Sequence, residues 1–223
     1  MDVVGYDSYD MDPTTYNRQV STNFQADQTI IDTETVEKNA NAIGMLTAAN
    51  DLAKPKVTVQ GDLTIKSLSH HGKAYGISHE YSDASRGDNE PGGGNAPVYP
   101  LEAGWIKAQK NVTMDIRGES EAYGVFNQVG QVEIGGQSGD VNITVEAGKS
   151  HGLYATSNGV IRVGGNQATI NAKGQQANAL TITANDNDTG VDYQPGTPTI
   201  VLASKETTLN GKTFTEEGTR LEL

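Results

Sequence analysis

The tetrapeptide Ala122-Tyr123-Gly124-Val125 decides the fold of this chain, because close variants of it recur along most of the sequence. Each variant has a small residue, a variable residue, glycine or alanine, and then a large aliphatic residue. The other copies are Ala42-Ile43-Gly44-Met45, Ala74-Tyr75-Gly76-Ile77, Ser150-His151-Gly152-Leu153 and Ala177-Asn178-Ala179-Leu180, and their third positions lie 32, 48, 28 and 27 residues apart. Such a period predicts repeats that stack on one another, because one repeat alone cannot bury its apolar face.

Short strands are predicted on both sides of each motif. Apolar residues alternate with polar ones there, as in a strand with one buried face. Upstream are Ile30-Ile31, Leu63-Thr64-Ile65, Val112-Thr113-Met114, Val141-Asn142-Ile143 and Ala168-Thr169-Ile170, and downstream are Val57-Thr58-Val59, Trp105-Ile106-Lys107, Val132-Glu133-Ile134, Ile161-Arg162-Val163 and Ile200-Val201-Leu202. Three strands in each repeat of about 28 residues predict an all-β fold, a single-stranded parallel β-helix of about five coils over residues 28–203.

The glycines have predicted roles in this fold. The glycine of the motif lets the backbone turn or approach the next coil closely. The pairs Gly135-Gly136 and Gly164-Gly165 end the same strand in consecutive repeats, which predicts a corner with positive φ.

Two polar, Gly/Pro-rich segments lengthen the repeats and are predicted to protrude, at residues 79–104 and 185–198. Residues 1–27 are acidic and are expected to be either a cap over the first coil or a disordered tail. Residues 204–223 are expected to form the last coil edge or a tail.

Composition limits the partners. The formal net charge of −12 argues against nucleic acid, which requires basic patches. No apolar run approaches the length of a transmembrane helix, so we expect no direct membrane insertion. The chain has no cysteine, which suits a protein that crosses a membrane unfolded, since a disulfide would obstruct threading.

Two stretches carry a resemblance to a known family. Ala74-Tyr75-Gly76-Ile77 and Gly130-Gln131-Val132-Glu133-Ile134-Gly135-Gly136 resemble the passenger region of bacterial autotransporters (type V secretion), over residues 28–203. The resemblance implies a right-handed parallel β-helix that is exported across the outer membrane and is extracellular, either on the bacterial cell surface or released. It implies an adhesin whose partner is a host-cell surface protein or glycan, or another copy of the passenger.

Arg86-Gly87-Asp88, in the longer insertion, is the candidate binding site. On the exposed loops of some surface adhesins this triplet engages integrins, where the aspartate completes a metal site. Chance occurrence in a Gly-rich acidic segment is the alternative, because a three-residue match is weak.

The other candidate groups predict no catalytic, metal or cofactor site. Asn185, Asp186 and Asp188 faintly resemble a calcium loop, but a solvated turn explains them better. His70 and His71 are adjacent, and on a strand they would point to opposite faces. His151 occupies the motif position of Tyr123 and is predicted to stack on that ring.

Two alternatives to the adhesin stay open, a carbohydrate-active (pectin-lyase-like) enzyme and a structural spacer of a larger surface protein. A β-helical glycosidase or lyase needs clustered carboxylates on one face. Asp115, Glu133 and Glu146 are the outward candidates, and we expect them on different strand types. The sequence therefore favours a non-catalytic protein.

Overall fold

The computed structural model describes residues 2–4, 21–49, 54–81, 103–183, 197–215 and 219–222, with the backbone alone for 2–4 and 219–222. Among these residues there is no helix, and twenty strands form three sheets. The motif sheet consists, in spatial order, of β1 (Asp2–Val4), β4 (Ala42–Ala49), β7 (Ala74–Tyr81), β10 (Glu121–Asn127), β13 (Lys149–Thr156) and β16 (Gln176–Thr183).

The second sheet follows the motif sheet along the chain. It consists of β2 (Ser21–Phe24), β5 (Lys56–Val59), β8 (Trp105–Ala108), β11 (Gln131–Ile134), β14 (Val160–Val163), β17 (Thr199–Leu202) and β20 (Thr219–Glu222). The third sheet consists of β3 (Gln28–Thr35), β6 (Asp62–Ser69), β9 (Val112–Arg117), β12 (Val141–Glu146), β15 (Gln167–Lys173), β18 (Glu206–Leu209) and β19 (Lys212–Phe214).

From β1 to β18 the chain visits the three sheets in turn, so within this run strands three places apart pair in parallel. The copies of the motif lie side by side in register, with Ala74 opposite Ala42 and Ala122, and Ser150 opposite Ala122 and Ala177. The all-β class, the parallel pairing and the three strands per repeat are confirmed.

The core lies between the three sheets. Each sheet contributes inward columns of aliphatic side chains with relative exposures of 2% or less, because equivalent positions of successive repeats are in register. Examples are Val57, Ile106, Val132 and Ile161 from the second sheet and Ile65, Met114, Ile143 and Ile170 from the third.

The motif glycines allow close approach between neighbouring repeats. A Cβ atom on Gly124 would lie 2.5 Å from the carbonyl oxygen of Gly152, and one on Gly152 would lie 2.5 Å from the carbonyl oxygen of Ala179. The same holds for Gly76 against the carbonyl oxygen of Gly124, at 2.5 Å. The fifth copy carries alanine, and β16 is the last strand of the motif sheet among the residues that the structure describes. The prediction of close approach is confirmed.

The corner after β11 and β14 needs glycine for two reasons. Gly135, Gly136 and Gly165 have φ values of 85°, 52° and 92°, as predicted. Gly164 does not have a positive φ, but a Cβ on it would lie 2.2 Å from the carbonyl oxygen of Gly136. Steric contact therefore selects the fourth glycine.

The array extends beyond residues 28–203, through β1 and β2 before this range and β18 to β20 after it. At its C-terminal end the pairing becomes antiparallel, between β18 and β19 and between β17 and β20. Asn210 and Gly211 join β18 to β19 with φ values of 46° and 80°, which suits a two-residue hairpin turn. At the other end, inward Phe24 and Ile31 are only half-buried.

Candidate functional site

The motif bends its strand so that an unusual pair of side chains shares the outer face. Ala122 and Val125 both point into the core, whereas strict alternation would place them on opposite faces. Tyr123 and Phe126 consequently lie together outside, with ring centroids 5.5 Å apart and planes at 79°. The change of phase at Gly124 thus builds an aromatic surface on the motif sheet.

The first aromatic column follows the variable position of the motif. Tyr75 stacks on Tyr123 with centroids 4.9 Å apart and planes at 9°, and Tyr123 stacks on His151 at 5.1 Å and 13°. These spacings follow the separation of neighbouring strands, which is about 4.8 Å. The predicted stack of His151 on Tyr123 is confirmed. Burial, together with the charge of Lys149, lowers the pKa of His151 to about 4, so its ring is neutral near pH 7.

The second aromatic column is incomplete. Phe126 stacks on Tyr154 with centroids 5.3 Å apart and planes at 18°. On the other side of Phe126 the register partner is Ser78, and beyond it lies Leu46. The column therefore has no ring on β7, although β7 supplies Tyr75 to the first column.

Charged groups border the first column. The carboxylate of Glu121 lies 2.9 Å from Nζ of Lys73 and 3.7 Å from Nζ of Lys149, and the hydroxyl of Tyr123 donates to it at 2.8 Å. Burial alone would raise the pKa of Glu121, but the hydrogen bonds and positive charges outweigh it and the pKa lies below its usual value. Burial and the bond to Glu121 raise the pKa of Tyr123. Glu121 is therefore an anion near neutral pH, and Tyr123 keeps its proton.

These side chains enclose a cavity of about 260 Å³ on the outer face of the motif sheet, called here the aromatic cavity. Its lining residues are Lys73, Tyr75, Glu80, Glu121, Tyr123, Phe126, Gln128, Lys149 and Tyr154.

The aromatic cavity lies where the longer insertion leaves the array. Glu80 is next to Tyr81, the last residue of β7, and the backbone N–H of Tyr81 donates to the side-chain oxygen of Gln128 at 3.0 Å. The backbone N–H of Gln128 donates to the carbonyl oxygen of His79 at 2.9 Å. The cavity rim and the base of the insertion are therefore one hydrogen-bonded unit.

Both insertions interrupt the same kind of connection, from the motif sheet to the second sheet. Between β10 and β11 this connection takes residues 128–130, and between β13 and β14 it takes 157–159. The longer insertion lies between β7 and β8 and the shorter one between β16 and β17. Arg86-Gly87-Asp88 and Asn185, Asp186 and Asp188 lie outside the described residues.

His79, at the start of the longer insertion, is buried. Its side chain is 0% exposed, and its Nδ1 lies 2.5 Å from Oγ1 of Thr47. Burial lowers its pKa to about 4, although backbone hydrogen bonds of Thr47 and Ala103 act in the opposite direction. The imidazole is therefore neutral in the folded protein near pH 7.

The expectation that the three candidate carboxylates lie on different strand types is wrong for two of them. Asp115 and Glu146 lie on neighbouring strands of the same sheet, although Glu133 lies on the second sheet. Arg117 nevertheless lies between them. It is in register with Glu146 on the neighbouring strand, and its guanidinium donates two 3.0 Å hydrogen bonds to Asp115. The two carboxylates are thus separated by a cation and do not form a catalytic pair.

His70 and His71 lie in the turn between β6 and β7 rather than on a strand. His70 contacts the carboxylate of Glu34 at 2.8 Å and His71 that of Glu119 at 3.7 Å. In the part of the chain that the structure describes, no three His, Asp or Glu side chains form a group that could hold a metal ion. No helix among the described residues is long and apolar enough to cross a membrane.

Sequence reasoning missed most of the aromatic cavity. Phe126 and Tyr154 stand three residues after the variable position of two consecutive motifs, and Lys73, Glu121 and Lys149 immediately precede three of them. This alternation of charge and the repeated aromatic were the available signals. They could not be interpreted without the bend at Gly124, which places the two aromatic positions on one face.

No protein-family model, curated protein or solved structure matches this chain. The described residues define an all-β protein of stacked parallel strands that carries an open aromatic and polar cavity beside its longer insertion.

Proposed function

We propose that this chain is a non-catalytic binding protein of the bacterial cell surface, an adhesin passenger built as a right-handed parallel β-helix. The aromatic cavity at the base of the longer insertion is the observation that carries the proposal. A rigid stack of parallel strands holds the cavity and positions both insertions along one edge, and such scaffolds commonly present binding loops. The partner is a host-cell surface molecule or another copy of the passenger.

The spacing of the carboxylates favours binding over glycoside hydrolysis. Glu80 and Glu121 both line the cavity, but Glu80 is at the level of residue 128 on the neighbouring strand, because His79 is in register with Asn127. Seven residues at about 3.3 Å each separate the two backbone positions by roughly 23 Å. Glycosidase carboxyl pairs lie about 5–9.5 Å apart. Glu121 also stays ionised between two lysines, so it cannot act as a general acid at neutral pH.

The repeat itself supplies a deletion that tests the role of the longer insertion. Residues 80–104 can be replaced by Gln-Val-Gly, the connection found after Asn127, because His79 and Trp105 are in register with Asn127 and Gln131. Glu80→Gln is the matched control, since the replacement places glutamine at position 80. The second control replaces residues 184–198 by Ser-Asn-Gly, the connection after Thr156, which is in register with Thr183.

The assay measures attachment of protein-coated beads to cultured mammalian cells and to one another, after circular dichroism has verified that each variant is folded. We expect the first replacement to reduce attachment at least about tenfold, whereas Glu80→Gln alone retains more of it. If the wild type attaches to nothing, the chain is a spacer and the proposal is wrong. Release of reducing ends from a polysaccharide by the wild type would instead identify an enzyme.

A further inference from the structure

The two ends of the strand array leave its core incompletely covered. Among the described residues, five apolar side chains pack against the core but stay only half-buried, and all five belong to the first or the last repeat. They are Phe24, Ile31, Leu180, Ile182 and Leu209. One repeat further in, Ile65 opposite Ile31 and Leu153 opposite Leu180 are 0% exposed. Each end of the array therefore presents an apolar layer that a further layer would bury.

The third sheet adds a more exposed apolar side chain at each of its two edges. β3 and β19 are its first and last described strands. Ile30 on β3 is 62% exposed, and Phe214 on β19 is 49% exposed. Phe214 is in register with Thr207, which is buried at 3%, so Phe214 lies on the core side of the sheet although it is exposed.

The edge of β3 also presents backbone groups. The backbone N–H of Asp62 on β6 donates to the carbonyl oxygen of Asp27. The N–H of His70 donates in the same way to Thr35 at the other end of β3. Backbone groups alternate between the two sides of a strand, so the N–H and C=O groups of even-numbered residues such as Ile30 point away from β6. An edge of this kind is a template for a further strand.

The two ends differ in charge. At the N-terminal end, residues 21–41 carry four exposed carboxylates and one lysine, a formal charge of −3. At the C-terminal end, residues 197–215 carry Lys205 and Lys212 with Glu206, a formal charge of +1. Complementary charges favour contact between unlike ends, and like charges oppose contact between two N-terminal ends.

We propose that a second copy of this chain docks end to end, so that the C-terminal end of one copy covers the N-terminal end of the next. All three sheets then continue from copy to copy. β16 lies beside β1 in parallel, and β20 and β19 lie beside β2 and β3 in antiparallel pairs, since β19 and β20 run opposite to the other strands of their sheets. Because the contact joins two different surfaces, it repeats and builds a filament.

The proposal deepens the proposed function, in which a second copy is one of two partners. It rests on that function only for biological context, since association is measured on the purified full chain by analytical ultracentrifugation. We expect the average mass of the wild type to rise with concentration beyond that of a dimer.

Two variants each block one end. Ile30→Pro removes an edge N–H and an exposed apolar side chain at the N-terminal end, and Phe214→Glu places a like charge against the acidic end of the next copy. Each variant alone is expected to associate at least about tenfold more weakly than the wild type. An equimolar mixture of the two should form a dimer, because each variant retains the end that the other has lost.

Thr113→Glu is the matched control for Phe214→Glu, since Thr113 is exposed on β9 in the middle of the same sheet. It should associate like the wild type. Ile30→Thr keeps the N–H and introduces the residue that β6 and β9 have at this position, so it should weaken association by a smaller factor. Thermal unfolding verifies the fold of every variant, and Ile30→Thr replaces Ile30→Pro in the mixture if proline disturbs the fold.

The proposal is wrong if the wild type stays monomeric at every concentration, if Thr113→Glu weakens association as much as Phe214→Glu, or if the mixture associates no better than its two components. Bead attachment distinguishes this failure from failure of the proposed function. If the wild type attaches to cells but stays monomeric, only the end-to-end proposal is wrong. If it forms filaments in solution but coated beads attach neither to cells nor to one another, the adhesin proposal is wrong and the end-to-end contact stands.

Discussion

Replacement of one motif glycine by alanine tests how the repeats are held together. In Gly124→Ala the new Cβ would lie 2.5 Å from the carbonyl oxygen of Gly152 and 2.6 Å from Cγ2 of Ile143. The carbonyl belongs to the backbone of the neighbouring strand and cannot move without disturbing the ladder. Gly124 does not have a positive φ, so the cost arises from steric overlap alone.

The magnitude follows from two opposing contributions. Overpacking of a close-packed interior costs about 1–3 kcal/mol. Alanine reduces the conformational entropy of the unfolded chain, which recovers about 0.4–1 kcal/mol where the backbone is compatible. A backbone contact places the first contribution at the upper end of its range, so we expect a net loss of about 2 kcal/mol. At about 2–4 °C per kcal/mol for a chain of this size, the melting temperature falls by roughly 4–8 °C.

Urea unfolding followed by circular dichroism measures this change. Gly148→Ala is the control: its φ is not positive, and its Cβ would lie 3.2 Å from the carbonyl oxygen of Ser120, an overlap that a shift of a few tenths of an ångström relieves, so its loss should be smaller than that of Gly124→Ala. Ala179→Gly, on the last described strand of the motif sheet, should lower stability by roughly 0.5–1 kcal/mol, because glycine loses more backbone entropy on folding. Equal losses in Gly124→Ala and Gly148→Ala would refute the explanation by close approach.

Three further predictions concern titration and binding. His79 has a folded pKa of about 4, below the 6.5 of the unfolded chain, so its contribution to the free energy of unfolding is full above pH 6.5 and is lost as the pH falls to 4. His79→Asn should therefore reduce the loss of stability between pH 6.5 and pH 4 by up to about 3 kcal/mol. His70→Asn, in the exposed turn, should leave that loss unchanged. Glu121 has a lowered pKa, so its contribution to the free energy of unfolding is present above its unfolded pKa of 4.5 and is lost as the pH falls through the folded pKa. Glu121→Gln should therefore cost roughly 1 kcal/mol at pH 7 and should lose less stability than the wild type on acidification. Parallel stability curves for the two proteins between pH 3 and pH 7 would contradict this prediction. Asp88→Glu should abolish bead attachment to integrin-bearing cells if Arg86-Gly87-Asp88 is the contact, and unchanged attachment would exclude that role.

Much of the fold was predictable because its signals are local and repeated. The alternation in Val132-Glu133-Ile134 and its equivalents predicted strands with one buried face, and the period of the motif predicted which strands pair. Register is strongly specified in such a sheet, since a slip by one residue would turn every inward aliphatic side chain outward. The corner glycines were predictable for the same reason, although Gly164 is required by contact rather than by its φ.

The candidate site was less predictable because it depends on a departure from alternation. Strict alternation places Tyr123 and Val125 on one face, but the bend at Gly124 places Tyr123 and Phe126 there instead. Asp115 and Glu146 show the same limitation, since their shared sheet became evident only with the register of β9 and β12.

The sequence by itself determined that this protein is all-β, that its strands pair in parallel at intervals of three, and that two insertions interrupt the repeat. These properties follow from the spacing of the motif and from the alternation of apolar and polar residues, and both recur in every repeat. Only the tertiary structure decided that Phe126 stacks on Tyr154 with Ser78 on its other side, that Glu121 is held between two lysines, and that the cavity lies at the base of the longer insertion. Those relations join residues of different repeats, and they depend on one local bend that composition and spacing do not reveal.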